Sequence, residues 1–320
     1  MPPAPISRKR SFILFLLAAS IAALCGGALE TNKASATSAV SGSSAAVLVD
    51  LRSGRPVWFE DRGALLQRPL PVGSLLKLFA AYLFLEKGRQ ERHVVFCPPS
   101  SPWTPTRESC WFRPGHRNQD LAGAIAHSCD RYFLNIAGDL RLADFTALLE
   151  RFELHPDIGP ESGENYSEGE TMIGLNPRWR FPVDSMLAAV YALLSGDLLR
   201  LDGGEAFHFS LRRSLNLDPQ IVAVIRRGMR ESALYGTSRP FQEEFAFRVL
   251  GKTGTFVMAN SDPRQRRVSG IFLGFFPDPA LRYAVLLWGS AGSGAQQAAA
   301  AAVIVKRLAA DGVIDARLPR

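Results

Sequence analysis

The apolar positions of this chain change rhythm three times between its two ends. Near the N-terminus, Arg8, Lys9 and Arg10 precede an unbroken apolar run, Phe12–Leu24, and residues 31–44 are then small and polar. The next segments alternate. Ala45–Asp50, a Ser53-Gly54 turn and Pro56–Glu60 predict a β-hairpin. Gly73 and Ser74 open a helix whose following residues, Leu75 to Leu85, are apolar on almost every face apart from Lys77, and Gly88 ends it. A helix of that kind belongs inside a core. From about residue 90 to residue 240 the periodicity is mostly helical, with long irregular connections. Its clearest helices are Leu121–Ala126, Phe133–Ala137, Phe145–Phe152, Ser185–Leu194 and Gln220–Arg230. The pattern then returns to strands at Phe245–Leu250, Val268–Phe276 and Arg282–Trp288, with Pro277-Asp278-Pro279 as a turn, and closes on an alanine-rich helix, Ala295–Ala310.

Strands at both ends and helices between them predict an α+β fold. Its antiparallel β-sheet is completed by the two ends of the chain and flanked by helices, with an inserted all-helical subdomain. The expected organisation is a signal peptide or membrane anchor over residues 1–28, a linker over 29–43 and one domain over 44–315.

Composition narrows the class without naming it. Of 320 residues, 47% are hydrophobic and 21% charged, which is ordinary for a globular protein long enough to bury a large core. The net charge of +7 suits nucleic acid, an anionic membrane surface or an acidic polymer equally. No nucleic-acid-binding signature is present, and the basic run Arg264, Arg266 and Arg267 reads as a solvated hairpin turn.

The basic cluster before Phe12–Leu24 describes an export signal or signal-anchor, with the rest of the chain on the extracytoplasmic side. Ala34-Ser35-Ala36 is a cleavage site of the small-x-small type, and Cys25 follows a leucine that suits lipidation poorly. With Cys25 in the targeting segment, Cys97 and Cys110 are the natural disulfide pair of the remaining three cysteines, and such a bridge is worth about 3 kcal/mol. No CxxC and no HExxH occurs and the five histidines are scattered, so the sequence predicts neither a metal nor a cofactor.

Three short segments carry chemistry. Ser74 and Lys77 lie three apart at the start of a helix and share a face. A serine hydroxyl is a weak nucleophile without a base, and burial lowers a lysine pKa until the amine can serve as one. Alone the pair is weak, because a chain of ordinary composition holds about one Ser-x-x-Lys by chance. Lys252-Thr253-Gly254-Thr255 ends an expected strand. There the ammonium and the two hydroxyls can hold a carboxylate while Gly254 admits a ligand close to the backbone. Ser128-Cys129-Asp130 stands between them, with Ser128 as a proton relay and Asp130 orienting Lys77.

In that order, the three segments resemble the transpeptidase domain of the penicillin-binding proteins, of the class B kind, and its serine β-lactamase relatives. The resemblance covers about residues 44–312. It takes in Ala45–Glu60, Pro71–Lys77, Gly115-His116 through Ala137, Met172-Ile173-Gly174 with Ser185–Leu194, Gly228-Met229 with Gly236-Thr237, and Val268–Trp288 with the final helix. It implies a DD-transpeptidase in which Ser74 is acylated by D-Ala-D-Ala peptidoglycan stem peptides and by β-lactams. The backbone N–H groups of Ser74 and Thr255 would form the oxyanion hole.

Two features depart from the family pattern. Asp130 stands where the family usually has Asn, and an ionised Asp cannot donate a hydrogen bond. About 45 residues precede the domain, so the family's usual N-terminal pedestal and glycosyltransferase modules are not expected, which leaves partnership with the cell-wall synthesis machinery open. Ser214-Leu215-Asn216 and Ser195-Gly196-Asp197 are alternative second segments, but both come late and lack the helical context of Ser128.

Rival activities remain. A β-lactamase needs a group that activates water, but the Glu-x-x-Leu-Asn pattern of the class A enzymes is missing, and Glu161, Glu164 and Glu168 crowd an acidic loop that reads as solvated charge; a DD-carboxypeptidase is the other enzymatic alternative. A non-catalytic penicillin-binding sensor or scaffold would keep the fold and lose turnover. A Ser-His-Asp hydrolase lacks its Gly-x-Ser-x-Gly elbow.

Overall fold

The computed structural model describes residues 44–61, 65–100, 110–160, 165–202, 208–258 and 267–315. The targeting segment, its Cys25, the linker, Arg264, Arg266, Glu161 and Glu164 lie outside the described residues.

In chain order the strands are β1 (Ser44–Asp50), β2 (Arg55–Asp61), β3 (Pro69–Pro71), β4 (Val95–Cys97), β5 (Arg117–Gln119), β6 (Asp157–Ile158), β7 (Trp179–Pro182), β8 (Asp197–Asp202), β9 (His208–Ser214), β10 (Leu250–Met258), β11 (Arg267–Phe276) and β12 (Tyr283–Gly289). A 3₁₀ turn, Gly73–Leu75, leads into α1 (Leu76–Glu86). There follow α2 (Leu121–His127), α3 (Asp130–Ala137), α4 (Leu142–Arg151), α5 (Glu168–Met172), α6 (Val183–Ser195), α7 (Pro219–Leu234), α8 (Arg239–Gln242) and α9 (Gly294–Ala310).

Five strands form one antiparallel sheet in the order β10-β11-β12-β1-β2, so the first hairpin and the last three strands complete one another. The inner strands are mainly apolar. All of β12 is buried, as is β1 up to Asp50, which is what a strand covered on both faces requires. Helix α9 lies across β11 and β12, while α1 and α6 belong to the same apolar core from the helical side. Among the described residues, no helix is long and apolar enough to cross a membrane.

The α+β expectation holds, and the helices between the two strand-forming ends fall where their periodicity places them, within a few residues. Two expectations are corrected. The helical region also carries short ribbons, β3-β7-β6, β4-β5 and β8-β9, which the sequence pattern does not show. The strand expected at Phe245–Leu250 begins instead at Leu250 and runs to Met258. Residues Phe245–Val249 are held by one side chain: Gln242 donates to the carbonyls of Phe245 and Phe247 and accepts from the Val249 N–H at 3.0 Å. The two phenylalanines stack on each other at 4.8 Å, and Phe247 stacks on Phe276 at 5.0 Å. The aromatic residues that suggested a strand therefore fill a hydrophobic cluster beneath it.

Candidate active site

The site is built where α1 begins. Gly73 has φ +55°, a left-handed conformation that glycine accepts without strain, and it turns the chain into the helix. Ser74 follows with 9% of its surface exposed, and Lys77, almost one turn later, has none exposed. The helix around them is buried from Leu76 to Phe84, so the only charged side chain on that stretch is enclosed by apolar neighbours.

The enclosed Lys77 ammonium is met by the turn between α2 and α3. Ser128 caps α2 in the left-handed conformation, φ 53°, which turns its carbonyl and side chain toward α1. Lys77 Nζ donates to the Ser128 carbonyl at 2.9 Å and to the Asp130 carboxylate, and it lies 5.6 Å from the centre of the Phe133 ring. The second Asp130 oxygen accepts the Trp111 N–H at 3.3 Å, while the Trp111 indole donates to the Ser128 carbonyl at 3.1 Å.

Strand β10 supplies the third wall. Lys252 is fully buried, and its Nζ donates to Ser128 Oγ at 2.9 Å and to the Thr253 carbonyl at 2.7 Å. Burial, reinforced by the nearby Lys77 charge, pushes the Lys252 pKa well below its ordinary value, against the pull of Asp130. Thr253 Oγ1 is hydrogen-bonded to Thr237 Oγ1 at 2.7 Å, and Thr255 Oγ1 accepts the Gly294 N–H that opens α9 at 2.9 Å. A side-chain carbon at Gly254 would fall 2.4 Å from the Val72 carbonyl oxygen and 3.4 Å from the Ser74 nitrogen. Only glycine lets the strand pass this close to the turn carrying Ser74.

All eight residues expected from sequence thus converge: Ser74 from the 3₁₀ turn and Lys77 from α1, Ser128 and Asp130 from the α2–α3 turn, and Lys252, Thr253, Gly254 and Thr255 from β10. The strand holding the last four continues past them, whereas the sequence pattern had them ending one. Thr237 and Trp111 are added by the structure. Thr237 follows Gly236, whose place is marked by the Thr237 N–H bond to the Ala126 carbonyl at 3.1 Å. The alternative second segments sit elsewhere, on the β8–β9 ribbon, where Ser214 Oγ donates to Asp197 at 2.7 Å and Ser195 Oγ to the Tyr191 carbonyl. Glu168 accepts the Leu142 N–H and so joins α4 to α5. Beside the site, Trp111, Phe112, His127, Tyr235, Thr237 and Arg239 line a cleft of about 690 Å³.

The expected Cys97–Cys110 disulfide is not formed. Cys97, Cys110 and Cys129 are all free buried thiols gathered with His116. The sulfurs of Cys97 and Cys110 lie 3.7 and 3.4 Å from His116 Nδ1, and Cys110 Sγ donates to Cys129 Sγ at 3.9 Å. The cysteine–histidine grouping was invisible in the sequence because its members come from separate turns.

Comparison with known proteins places this geometry. The sequence matches the family described as the penicillin binding protein transpeptidase domain over residues 32–310. Its fold is similar to that of penicillin-binding protein 2 of Pseudomonas aeruginosa, solved in complex with WCK 5153, at TM-score 0.67 and 19% identity over 88% of this chain and 76% of that one. It is also similar to the apo transpeptidase domain of Burkholderia pseudomallei penicillin-binding protein 3, at TM-score 0.65 and 17% identity over 87% and 90% of the two chains. Helicobacter pylori penicillin-binding protein 2, solved in complex with MreC, matches at TM-score 0.64 and 18% identity; this chain covers only 61% of its length. A sequence comparison with curated proteins returns no match. With the family match spanning most of its length and the sheet, the inserted helices and the convergent motifs all in place, the chain belongs to the penicillin-binding protein transpeptidase domain family.

Proposed function

We propose that the protein is a serine DD-transpeptidase that takes D-Ala-D-Ala stem peptides of peptidoglycan on the extracytoplasmic side of the membrane and is acylated by β-lactams. One observation carries this reading. Two buried lysines, one from α1 and one from β10, reach the same serine of the α2–α3 turn, immediately beside the segment that bears Ser74.

The chemistry follows from that arrangement. Lys77 takes the Ser74 hydroxyl proton as the oxygen attacks the carbonyl carbon of the penultimate D-alanine. Asp130, hydrogen-bonded to Lys77 Nζ, orients that amine within its apolar enclosure. The oxyanion forms against the backbone N–H groups of Ser74 and Thr255. Ser128 Oγ accepts from Lys252, which leaves its own proton for the departing amine of D-alanine. Lys252, Thr253 and Thr255 receive the terminal carboxylate, whose negative charge offsets the cost of burying the ammonium. An amine acceptor then gives a cross-link, and water gives a trimmed peptide.

The Helicobacter pylori relative was solved in complex with MreC, and another structural neighbour belongs to a peptidoglycan synthase complex. These relatives support cell-wall synthesis machinery as the partner class here. The test is chemical. Purified protein is incubated with a D-Ala-D-Ala stem peptide, with and without an acceptor amine, and released D-alanine is measured. Release and cross-linked product are expected from the wild type and not from Ser74→Ala. Equal peptide consumption by the two proteins defeats the proposal.

A further inference from the structure

We propose that the cleft of about 690 Å³ beside the site is its acceptor subsite and takes an amino-acid terminus, an amine and a carboxylate on one carbon, with a side chain joining it to the rest of a peptide. The assignment rests on the transpeptidase reading above and names the acceptor class for it. The lining of the cleft is tied to the second and third motifs at three points. Trp111 donates from its indole to the Ser128 carbonyl at 3.1 Å, and Thr237 accepts from Thr253 Oγ1 at 2.7 Å. Ala295, also in the lining, follows Gly294, whose N–H donates to Thr255 Oγ1 at 2.9 Å. The volume suits a ligand of many atoms, whereas the group that departs in the first step is a single alanine.

Two open rings and one placed hydroxyl equip the cleft for such a ligand. Trp111 and Tyr235 keep 54% and 50% of their surface exposed, so each offers an apolar face to an incoming chain. A side-chain carbon at Gly236 would fall 2.1 Å from the Ala126 carbonyl oxygen, which also accepts the Thr237 N–H at 3.1 Å. That close approach sets Thr237 against the end of α2, two positions before Ser128. The Thr237 hydroxyl keeps a proton to give. Thr253 spends its own on Thr237, and Ser232 spends its own on Ser238 at 2.9 Å. The other contact of the Thr237 oxygen, 3.5 Å to Ser232, is long for a hydroxyl hydrogen bond, so a carboxylate competes for that proton with ease.

Reversal of the first half-reaction decides what fits. D-alanine departs as an amine with a carboxylate on the same carbon, the amine protonated through Ser128 and the carboxylate held by Lys252 and Thr255. The acceptor uses the same proton route backwards. Its neutral amine nitrogen bonds to the acyl carbon, the ester bond to Ser74 Oγ breaks, and the proton that the amine gives up returns to the Ser74 oxygen. An amine at that position carries its neighbouring carboxylate into the place that D-alanine vacated, where Thr237 adds a donor. The side chain of that carbon then runs into the cleft, against the Trp111 and Tyr235 rings.

The test follows how one acyl-enzyme divides between transfer and hydrolysis, a ratio in which any change in the acylation step cancels. Full-length protein is incubated with a D-Ala-D-Ala stem peptide and rising concentrations of Nε-acetyl-D-lysine, its α-carboxamide or glycine, and released D-alanine, transfer product and hydrolysed peptide are measured by mass spectrometry. The transfer ratio is expected to rise to saturation with Nε-acetyl-D-lysine. Loss of the charged hydrogen bonds is expected to lower it about tenfold for the carboxamide. Tyr235→Ala is expected to lower the ratio about fivefold for Nε-acetyl-D-lysine and to leave glycine, which has no side chain, unaffected, while Tyr235→Phe keeps the ring and the ratio. Thr237→Val is expected to narrow the preference for the acid over its carboxamide, and Thr237→Ser to keep it. D-alanine release with hydrolysis alone, with equal transfer to acid and carboxamide, or with a ratio that Tyr235→Ala leaves unchanged overturns the subsite. No D-alanine release from the wild type overturns the transpeptidase reading and this assignment with it.

Discussion

Lys77 and Asp130, 53 positions apart in sequence, share a hydrogen bond in which the lysine has no exposed surface and the aspartate side chain about 10%. Enclosure of that kind makes each charge depend on the other. Removing one partner of a buried pair leaves an uncompensated charge and costs about 3–5 kcal/mol, whereas replacing both by apolar groups is often neutral.

Lys77→Met is therefore expected to lower stability by about 3–5 kcal/mol in urea unfolding and to abolish acylation. Lys77→Met combined with Asp130→Leu recovers most of that stability and stays inactive. A double variant that regains acylation along with stability contradicts the role given to Lys77.

Gly254→Ala tests the approach of β10 to the turn that bears Ser74. The added carbon would sit 2.4 Å from the Val72 carbonyl, so strand and turn must separate. A displacement near 1 Å at a reacting group costs on the order of 10²-fold in rate. The second-order acylation constant is expected to fall by about that factor, and an unchanged constant rejects the geometry.

Gln242→Leu removes the side chain that serves Phe245, Phe247 and Val249. Buried backbone groups left without partners cost about 1–3 kcal/mol each, partly relieved by water. Calorimetry is expected to show a loss in that range. Wild-type stability in this variant indicates that Phe245–Val249 holds its shape by ring packing alone.

Lys252 gives a pH signature. Its pKa in the folded protein is depressed by burial and by Lys77, so the folded state resists protonating it while the unfolded chain does not. The cost is absent above the ordinary lysine pKa of about 10.4 and grows as pH falls toward the folded value. Lys252→Met is accordingly expected to gain more stability relative to wild type at pH 7 than at pH 10.5, while losing affinity for carboxylate-bearing β-lactams. Binding of such an anion to wild type restores the charge, so calorimetry in buffers of different ionisation enthalpy is expected to report proton uptake. Release of protons, or none exchanged, contradicts the assignment of Lys252 as the carboxylate partner.

Much of this arrangement was legible in local sequence spacing. Ser74 and Lys77 lie three positions apart where a largely apolar helix begins, so their nearness follows from the helical period and their burial from the apolar run around them. The closing strands β11 and β12 are long apolar runs with turn residues between them, and their pairing needs no further information. The start of β10 was misread because Phe245 and Phe247 have high strand propensity, yet packing against Phe241 and Phe276 uses them differently. The cysteine–histidine cluster joins residues 19, 6 and 19 positions apart across three segments, so no spacing rule exposes it. Trp111 was hidden for the same reason, and Thr237 stood out only within the Gly236-Thr237 stretch of the resemblance, its contact with Thr253 lying in a distant segment.

The central claim is that Ser74 becomes acylated, and peptide mapping after penicillin treatment tests it most directly. Wild-type protein is incubated with a penicillin, digested and analysed by mass spectrometry beside Ser74→Ala. One penicilloyl group on the peptide containing Ser74 and none on the variant is the predicted result. An adduct on another residue, or one that persists in Ser74→Ala, contradicts the account.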